Sequence, residues 1–305
     1  MYWVLDASGN RQTQVEPDVS DWIEMITPEE TPILSRLSRQ AAHNMEVTTM
    51  QDDLDEGDPE NALGYGEDFK QGTTTTPGTL SNNIQRFQET ATVKAGEQKI
   101  ADAGGYYGVG DLLQREESKK MSTIFLSVEK RLISDASSQA AQSSNNFTGK
   151  AAGLASLIQT NVDGSTSSLS TSAIDDLMQT IRDQGGSPTD AYCDAAEKKA
   201  WDGLTTNVTR YSENTQQLIN TVRTYLGSFG EINVHYHRFM PMDVNGSPAQ
   251  VMLFQFPMIR LRPLGNPERE SLPYTGSGYS TAIEWWTTWD MRTEKSCGMF
   301  TALSD

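Results

Sequence analysis

His235 and His237 stand two residues apart in a segment that alternates like a β-strand, Ile232, Val234 and Tyr236 filling the positions between. That spacing points both imidazoles to one face, as a pair of metal ligands would be presented. A zinc-type site needs a third and fourth ligand, and the sequence holds one other histidine, His43. Two polar residues on a half-buried strand are therefore the better reading. A second candidate is the run Asp52, Asp53, Asp55, Glu56, Asp58, Glu60, Glu67 and Asp68, eight acids in seventeen residues with no base before Lys70. Counted from Asp53, its glycine arrives at the fifth position where a helix-loop-helix calcium site requires the sixth, so the run reads as a charged, partner-facing segment. Gly64-Tyr65-Gly66 and Gly108-Val109-Gly110 lack the third glycine or the Gly-Lys-Ser/Thr ending of a phosphate cradle. No Gly-x-Ser-x-Gly elbow occurs either. Glu284 and Asp290 could serve as acid and base beside Trp285, Trp286 and Trp289, the outline of a polysaccharide hydrolase. Aromatics on both faces of one strand instead predict core packing on one side and a subunit contact on the other.

The elements that would position these residues are uneven. Met1 to about Gln40 has too little apolar surface to fold alone and reads as an arm, with a helical stretch around Trp22 and then Thr31-Pro32-Ile33-Leu34. Met45 to Thr79, broken by Gly57, Gly64, Gly66, Gly72, Gly78, Pro59 and Pro77, is a long extended loop. Ile84–Val93 is a strand. Asp111 and Gln114 open the strongest helix, whose apolar residues from Leu113 through Met121, Ile124, Phe125, Val128 and Leu132 to Ala136 recur every three or four positions to about Gln142. Such a helix is about 45 Å long, a spine. Ser143 to Leu169 reads as a connector. Helices follow at Ser172–Ile181, ended by Gly185-Gly186, and after Asp194 with Glu197. Strands close the chain at Val222–Tyr225, Ile232–Tyr236, Val251–Phe256, Met258–Leu264 and Ile283–Met291. The class is α+β, with a discontinuous main domain.

At 305 residues the chain can hold about two domains. Its formal charge of −17 and isoelectric point near 4.6 repel nucleic acid at long range and exclude a groove-reading DNA binder. Hydrophobic content of 36% is low for an enzyme of this size and predicts arms that gain burial from neighbouring chains. The first thirty residues contain no secretory apolar run, and no stretch is apolar enough to span a membrane. Cys193 and Cys297 read as two buried, reduced thiols of an intracellular assembly. Asn146 and Asn207 head glycosylation triplets that match by chance without export.

Taken in order, arm, extended loop, spine helix, helical insert and late strands resemble the major capsid (major head) protein of tailed bacteriophages with the Hong Kong 97-type fold. Local patterns resemble major head proteins of the Caulobacter-phage type. They are Thr31-Pro32-Ile33-Leu34, Asn83-Ile84-Gln85 through Thr92-Val93, Glu129-Lys130-Arg131-Leu132, Gly227-Ser228-Phe229-Gly230, Arg238-Phe239-Met240-Pro241, and Thr275-Gly276 followed by Ile283-Glu284-Trp285. The resemblance implies an N-terminal arm over 1–44 and an extended loop over 45–82. It further implies a peripheral domain over 83–168 with its spine helix at 111–142, an axial domain over 169–250, and return strands over 251–305. It implies a virion protein without catalytic residues, metal or cofactor, which forms hexamers and pentamers of an icosahedral shell around double-stranded DNA and is assembled in the host cytoplasm. Portal, decoration and scaffold proteins are the expected partners, and no membrane. The scaffold is expected to be separate, since a capsid core beginning near Thr31 leaves no room for a long scaffolding segment. Covalent crosslinking is not implied: the loop offers only Lys70, with no matching asparagine or glutamate.

On that reading the acids Asp52, Asp53, Asp55, Glu56, Asp58, Glu67 and Asp68 cross onto a neighbouring subunit. Basic residues await them on the spine helix (Arg115, Lys119, Lys120, Lys130, Arg131) or the late strands (Arg260, Arg262, Arg269). The arm residues Trp22, Ile33 and Leu34 supply apolar burial between subunits. An encapsulin-like cellular shell, an acidic polysaccharide hydrolase and a tail or decoration protein are the rival readings.

Overall fold

The computed structural model describes residues 4–5, 11–12, 31–52, 59–68, 76–103, 111–140, 149–204, 224–240, 251–273 and 278–303. The helix expected around Trp22, the acids Asp53, Asp55, Glu56 and Asp58, and Lys70 lie outside them. Strands β1 (Val4–Leu5) and β2 (Arg11–Gln12) pair with each other. A 3-10 turn at Leu34–Arg36 leads into β3 (Ser38–Arg39). The extended loop is a two-stranded antiparallel ribbon at its root, β4 (Glu46–Gln51) against β5 (Gly78–Asn83), and its chain returns through β6 (Gln85–Lys94). A short helix α1 (Ala95–Asp102) precedes the spine, α2 (Leu112–Ile133).

The spine starts where the capping residues place it, with the Asp111 carboxylate accepting from the Gln114 N–H at 3.0 Å. It stops nine residues earlier than the periodicity predicts, which makes it about 33 Å long, not about 45 Å. Ser134-Asp135-Ala136-Ser137-Ser138 is poor helix sequence, and the Ser134 hydroxyl turns back to donate to the Arg131 carbonyl at 2.8 Å. Ala136 is buried as predicted but in extended chain. The stretch expected to be a connector is in part core: Ala151, Ala152, Leu154, Ala155, Leu157 and Ile158 are all buried, around α3 (Leu154–Leu157). Their small, apolar run was hidden between serine-rich flanks.

Beyond β7 (Val162–Asp163) comes α4 (Thr171–Asp183), then β8 (Asp190–Cys193) and α5 (Ala195–Gly203). The remaining strands are β9 (Thr224–Gly227), β10 (Gly230–Tyr236), β11 (Val251–Phe254), β12 (Ile259–Pro263), β13 (Glu268–Ser271), β14 (Gly278–Met291) and β15 (Gly298–Phe300). They build two sheets. A five-stranded sheet centres on β14, which pairs with β6 along one edge and with β13 and then β12 along the other, β3 adding in parallel to β12. A six-stranded mixed sheet runs β7-β15-β11-β8-β10-β9. One core lies between α2 and the five-stranded sheet, joining Ile124, Val128 and Leu132 to Phe87, Leu261, Trp285 and Trp289. The second lies between α4, α5 and the six-stranded sheet, where Ile174, Met178, Ile181 and Trp201 meet Val234 and Leu253.

Period-two alternation separates the faces of β14. Phe125 of the spine stacks edge-on against Trp285 with ring centres 5.4 Å apart. Its neighbour Trp286 looks the other way, onto a small cluster of Ala42, Val47 and Ile84 at the root of the ribbon, where the Thr49 hydroxyl also donates to Asp290 at 3.3 Å. Spine and ribbon therefore occupy opposite faces of one sheet. Cys193 and Cys297 are free and buried, and burial pushes the Cys193 thiol up to about 12.

Where the spine ends, Gly153 lies so close to the chain reversal that a Cβ there would sit 1.8 Å from the Ser134 carbonyl oxygen. Gly153→Ala is expected to cost about 3 kcal/mol through overpacking, seen as a lowered urea midpoint with an unchanged slope.

Candidate functional site

A buried polar arrangement sits where three elements converge: the turn at Leu34–Arg36, the last third of α2, and the ends of β8 and β10. Glu129 falls on the buried side of α2, one residue after Val128 and three before Leu132, and its side chain is wholly inaccessible. An isolated carboxylate there would be very costly, so it needs donors. It has three. The N–H groups of Ile33 and Leu34, which open the 3-10 turn, donate to its two oxygens at 2.9 and 2.8 Å, and His237 Nε2 approaches at 2.9 Å. The Phe239 N–H donates to His237 Nδ1 at 3.2 Å, so the lone pair is on Nδ1 and the ring proton on Nε2, directed at Glu129. The carboxylate thereby caps the first turn after the arm, using the anion preference of free N–H groups at a helix start.

A second cluster lies beside it. Asp190, almost fully buried on β8, accepts from Arg36 Nη1 at 2.7 Å and from the Thr189 hydroxyl at 2.7 Å, and His235 Nε2 stands 3.1 Å from it. Arg36 also donates to the Tyr192 hydroxyl at 3.2 Å and lies over the Phe256 ring at 4.1 Å. Burial pushes the Asp190 carboxyl up, but the hydrogen bonds from Arg36 and Thr189, the Arg36 charge and the contact with His235 outweigh it and hold the group below the ordinary carboxylate value. Both imidazoles do lie on one face, against Tyr192, with ring centres 5.0 and 6.1 Å away. Each meets its own carboxylate. They pin the strand end to the arm and spine, and among the described residues no cluster of metal-ligating side chains forms.

The residues singled out from the sequence are scattered over this frame. Ile33 and Leu34 are buried within their own chain against the spine, which corrects the expectation that they cover a neighbour: hardly any surface of either remains for one. Arg131 is turned inward, donating to the Ala151 carbonyl at 2.6 Å and the Ser137 carbonyl at 3.3 Å, and burial lowers its pKa. Lys120 is held by Glu89 at 3.0 Å. Arg260 grips Asp290 with two nitrogens at 3.1 and 2.6 Å, and Arg262 stands 3.9 Å from the same carboxylate. Arg269 reaches Glu117 on the spine at 3.1 Å. Lys119 is exposed, 3.9 Å from Glu116, and Arg115 is half-buried on the same helix. Asp52, Glu67 and Asp68 are exposed, Glu67 closing a turn by accepting from the Gly64 N–H at 2.9 Å. Trp22, Asp53, Asp55, Glu56 and Asp58 lie outside the described residues.

The hydrolase outline dissolves on the same inspection. Trp285 and Trp289 are buried in the core. Glu284 and Asp290 are each engaged by arginine, Arg86 and Arg260 respectively. Sequence reasoning missed Glu129, Asp190 and Arg36. The one available signal was a glutamate inside the apolar stripe of the spine, a position that water cannot satisfy.

An arm, a two-stranded ribbon, a spine helix across a sheet centred on one long strand, and a second mixed sheet with its own helices define a capsid subunit of the Hong Kong 97 type. The solved structures bear this out at the level of the fold. The capsid of an empty GTA particle matches with a TM-score of 0.65 and 10% identity, covering 95% of this chain and 96% of that one. A structure from Gordonia phage Cozz matches at 0.60 and 11%, covering 96% and 92%. The holo-SrpI encapsulin of Synechococcus elongatus PCC 7942 matches at 0.59 and 10%, covering 93% and 90%. No curated protein sequence matches. The chain belongs to the SU10 major capsid protein family, whose model matches residues 6–304.

Glu129→Ala would leave His237 and two backbone N–H groups buried without an acceptor. It is expected to cost about 3–5 kcal/mol in urea unfolding and to open residues 31–37 to protease before the rest of the chain. Because the Asp190 carboxyl is held below its ordinary value of 3.8, its stabilisation is complete above that pH and is lost as the pH falls through the lower folded value. The stability gap between wild type and Asp190→Asn is therefore expected to be constant near neutrality and to close below about pH 4 when unfolding is followed across pH.

Proposed function

We propose that this major capsid protein assembles through hexamers and pentamers into an icosahedral shell around double-stranded DNA, in the host cytoplasm and without catalysing a reaction. The family match across residues 6–304 carries the reading. A portal, a scaffold and decoration proteins are the further partners such a shell would use. The virion is its location. The encapsulin likeness is one of fold at 10% identity, and the family match favours the phage head.

The extended loop is the element built to reach another copy. Its root is fixed to the five-stranded sheet by Thr49, Val47 and Ile84. We place its acids, Asp52, Asp53, Asp55, Glu56 and Asp58 with Glu67 and Asp68, against basic residues of a neighbouring subunit. Arg260 and Arg262 lie on the ribbon's side of the sheet, both near the one carboxylate of Asp290, so two guanidinium groups share that negative charge. The spine cations Lys119, Lys120 and Lys130 lie on the other side. Exposed pairs are worth about 0–1 kcal/mol each, so the acids set register and salt response more than total affinity.

Electron microscopy of purified protein after size exclusion, at low and high salt, tests both points. Capsomers or closed shells are expected from wild type, and replacing Asp52, Asp53, Asp55 and Glu56 by Ser is expected to impair closure or salt tolerance. A wild type that yields fibres or tubes in every condition would overturn the shell reading. Normal shells from the variant at all salt concentrations would remove the acidic contact.

A further inference from the structure

Tyr65, in the extended loop, is held out into solvent by a built turn. The Glu67 N–H donates to the Gly64 carbonyl at 3.1 Å, and the Glu67 carboxylate accepts from the Gly64 N–H at 2.9 Å, so the two ends of the turn are tied twice. Gly66 takes φ +93°, a left-handed value that a side chain resists. The residue between the two glycines is thereby fixed at the apex, and its side chain is fully exposed. A loop already rigid in its binding shape loses less freedom on docking. Tyr65 thus has the form of an interface anchor, a role in which tyrosine is enriched.

A receptor of matching chemistry lies on the ribbon's side of the five-stranded sheet, where Ala282 and Glu284 share a face of β14 with Trp286. Beyond the ribbon root, β6, β14 and β13 bound a groove of about 390 Å³, larger than the cavity of about 150 Å³ that holds a benzene ring. Ala282 and the exposed Leu272 offer apolar surface in it, with Arg86, Gln88, Glu268 and Glu284 among the polar groups around them. These glutamates repel the acids of the loop. A neutral phenol can enter, its O–H donated to a carboxylate and its ring beside a guanidinium. The spacing agrees. Arg262 pairs with Thr288, six residues along β14 from Ala282 and on the same face, about 20 Å away. Asp58 and Tyr65 are seven residues apart in sequence, a span of at most about 25 Å. One loop can therefore set its acids on the arginines and its tyrosine in the groove. We propose that Tyr65 of one copy docks in this groove of a neighbouring copy, and that the neutral aromatic, more than the acids, holds the loop in place. The inference rests on the shell reading above, with the loop crossing to a neighbour.

The test replaces Tyr65 by photoreactive benzoylphenylalanine, which keeps an aromatic ring at the apex. Isotope-labelled and unlabelled copies of the full chain are mixed, assembled and irradiated, and the crosslinked peptides are mapped by mass spectrometry. Crosslinks from position 65 to peptides carrying Leu272 or Ala282 of a differently labelled copy are expected. In parallel, Tyr65→Ala is expected to raise the protein concentration needed for capsomers, read by size exclusion, about tenfold or more, and Tyr65→Phe to raise it less. The urea midpoint of unassembled Tyr65→Ala should match wild type, because the exposed ring packs on nothing of its own subunit. Tyr65→Ala that assembles at the wild-type concentration overturns the proposal, as do crosslinks that stay within one copy or fall outside the groove. Micrographs of the same preparations separate the two levels. Shells whose crosslinks fall elsewhere remove this contact alone, whereas a wild type forming neither capsomers nor shells removes the reading beneath it.

Discussion

One buried carboxylate sets the geometry of this subunit. Glu129 cannot be solvated where the apolar stripe of the spine places it, so whatever covers it must bring donors, and the covering pieces come from distant parts of the chain. Residues 33 and 34 arrive from the arm and His237 from the end of the six-stranded sheet. A neutral apolar residue at 129 would let these pieces slide against one another over an oily surface. A charge with a fixed number of acceptor positions allows one arrangement. The Asp190 cluster repeats the device a few residues further along the arm, with Arg36 supplying the charge.

Much of the fold follows from local chemistry that a sequence displays openly. Asp111 and Asp194 each accept a backbone N–H at the start of a helix, as their types and spacing predict, and Ser170 does the same just ahead of the helix expected from Ser172. β14 shows as a strand because aromatics and β-branched residues fill it, although it begins at Gly278, five residues before the expected Ile283. β8 was not legible. Its four residues, Asp190-Ala191-Tyr192-Cys193, open on an acid, are followed at once by a helix cap, and alternate in no visible way because both faces are covered. Yet β8 lies inside the six-stranded sheet and carries both Asp190 and Tyr192. The polar junction was illegible for a related reason. A glutamate that accepts from backbone groups 95 and 96 residues away gives no sign in the sequence beyond its place among apolar neighbours. Ile33 and Leu34 were legible as apolar and conserved their part in packing, but the packing partner proved to be their own spine.

The two faces of the five-stranded sheet have different chemistry because β14 alternates. Trp285 and Trp289 give one face to the spine, while Trp286 and Asp290 give the other to the ribbon root. Basic residues follow the same division, Arg86, Arg260 and Arg262 on the ribbon side, Lys120 and Arg269 on the spine side through Glu89 and Glu117. A shell protein has to present unlike surfaces to its neighbours and its contents, and a single long strand with period two is enough to sort them.

Cys193 and Cys297 carry a consequence for the life of the particle. Exposed thiols would tie subunits together wherever the surroundings turn oxidising. With both sulfurs enclosed and the Cys193 thiol held at about 12, almost none of it is thiolate at neutral pH, and thiolate is the form that reacts. Neither thiol is therefore placed to link one subunit to another, whichever redox surroundings the folded chain meets.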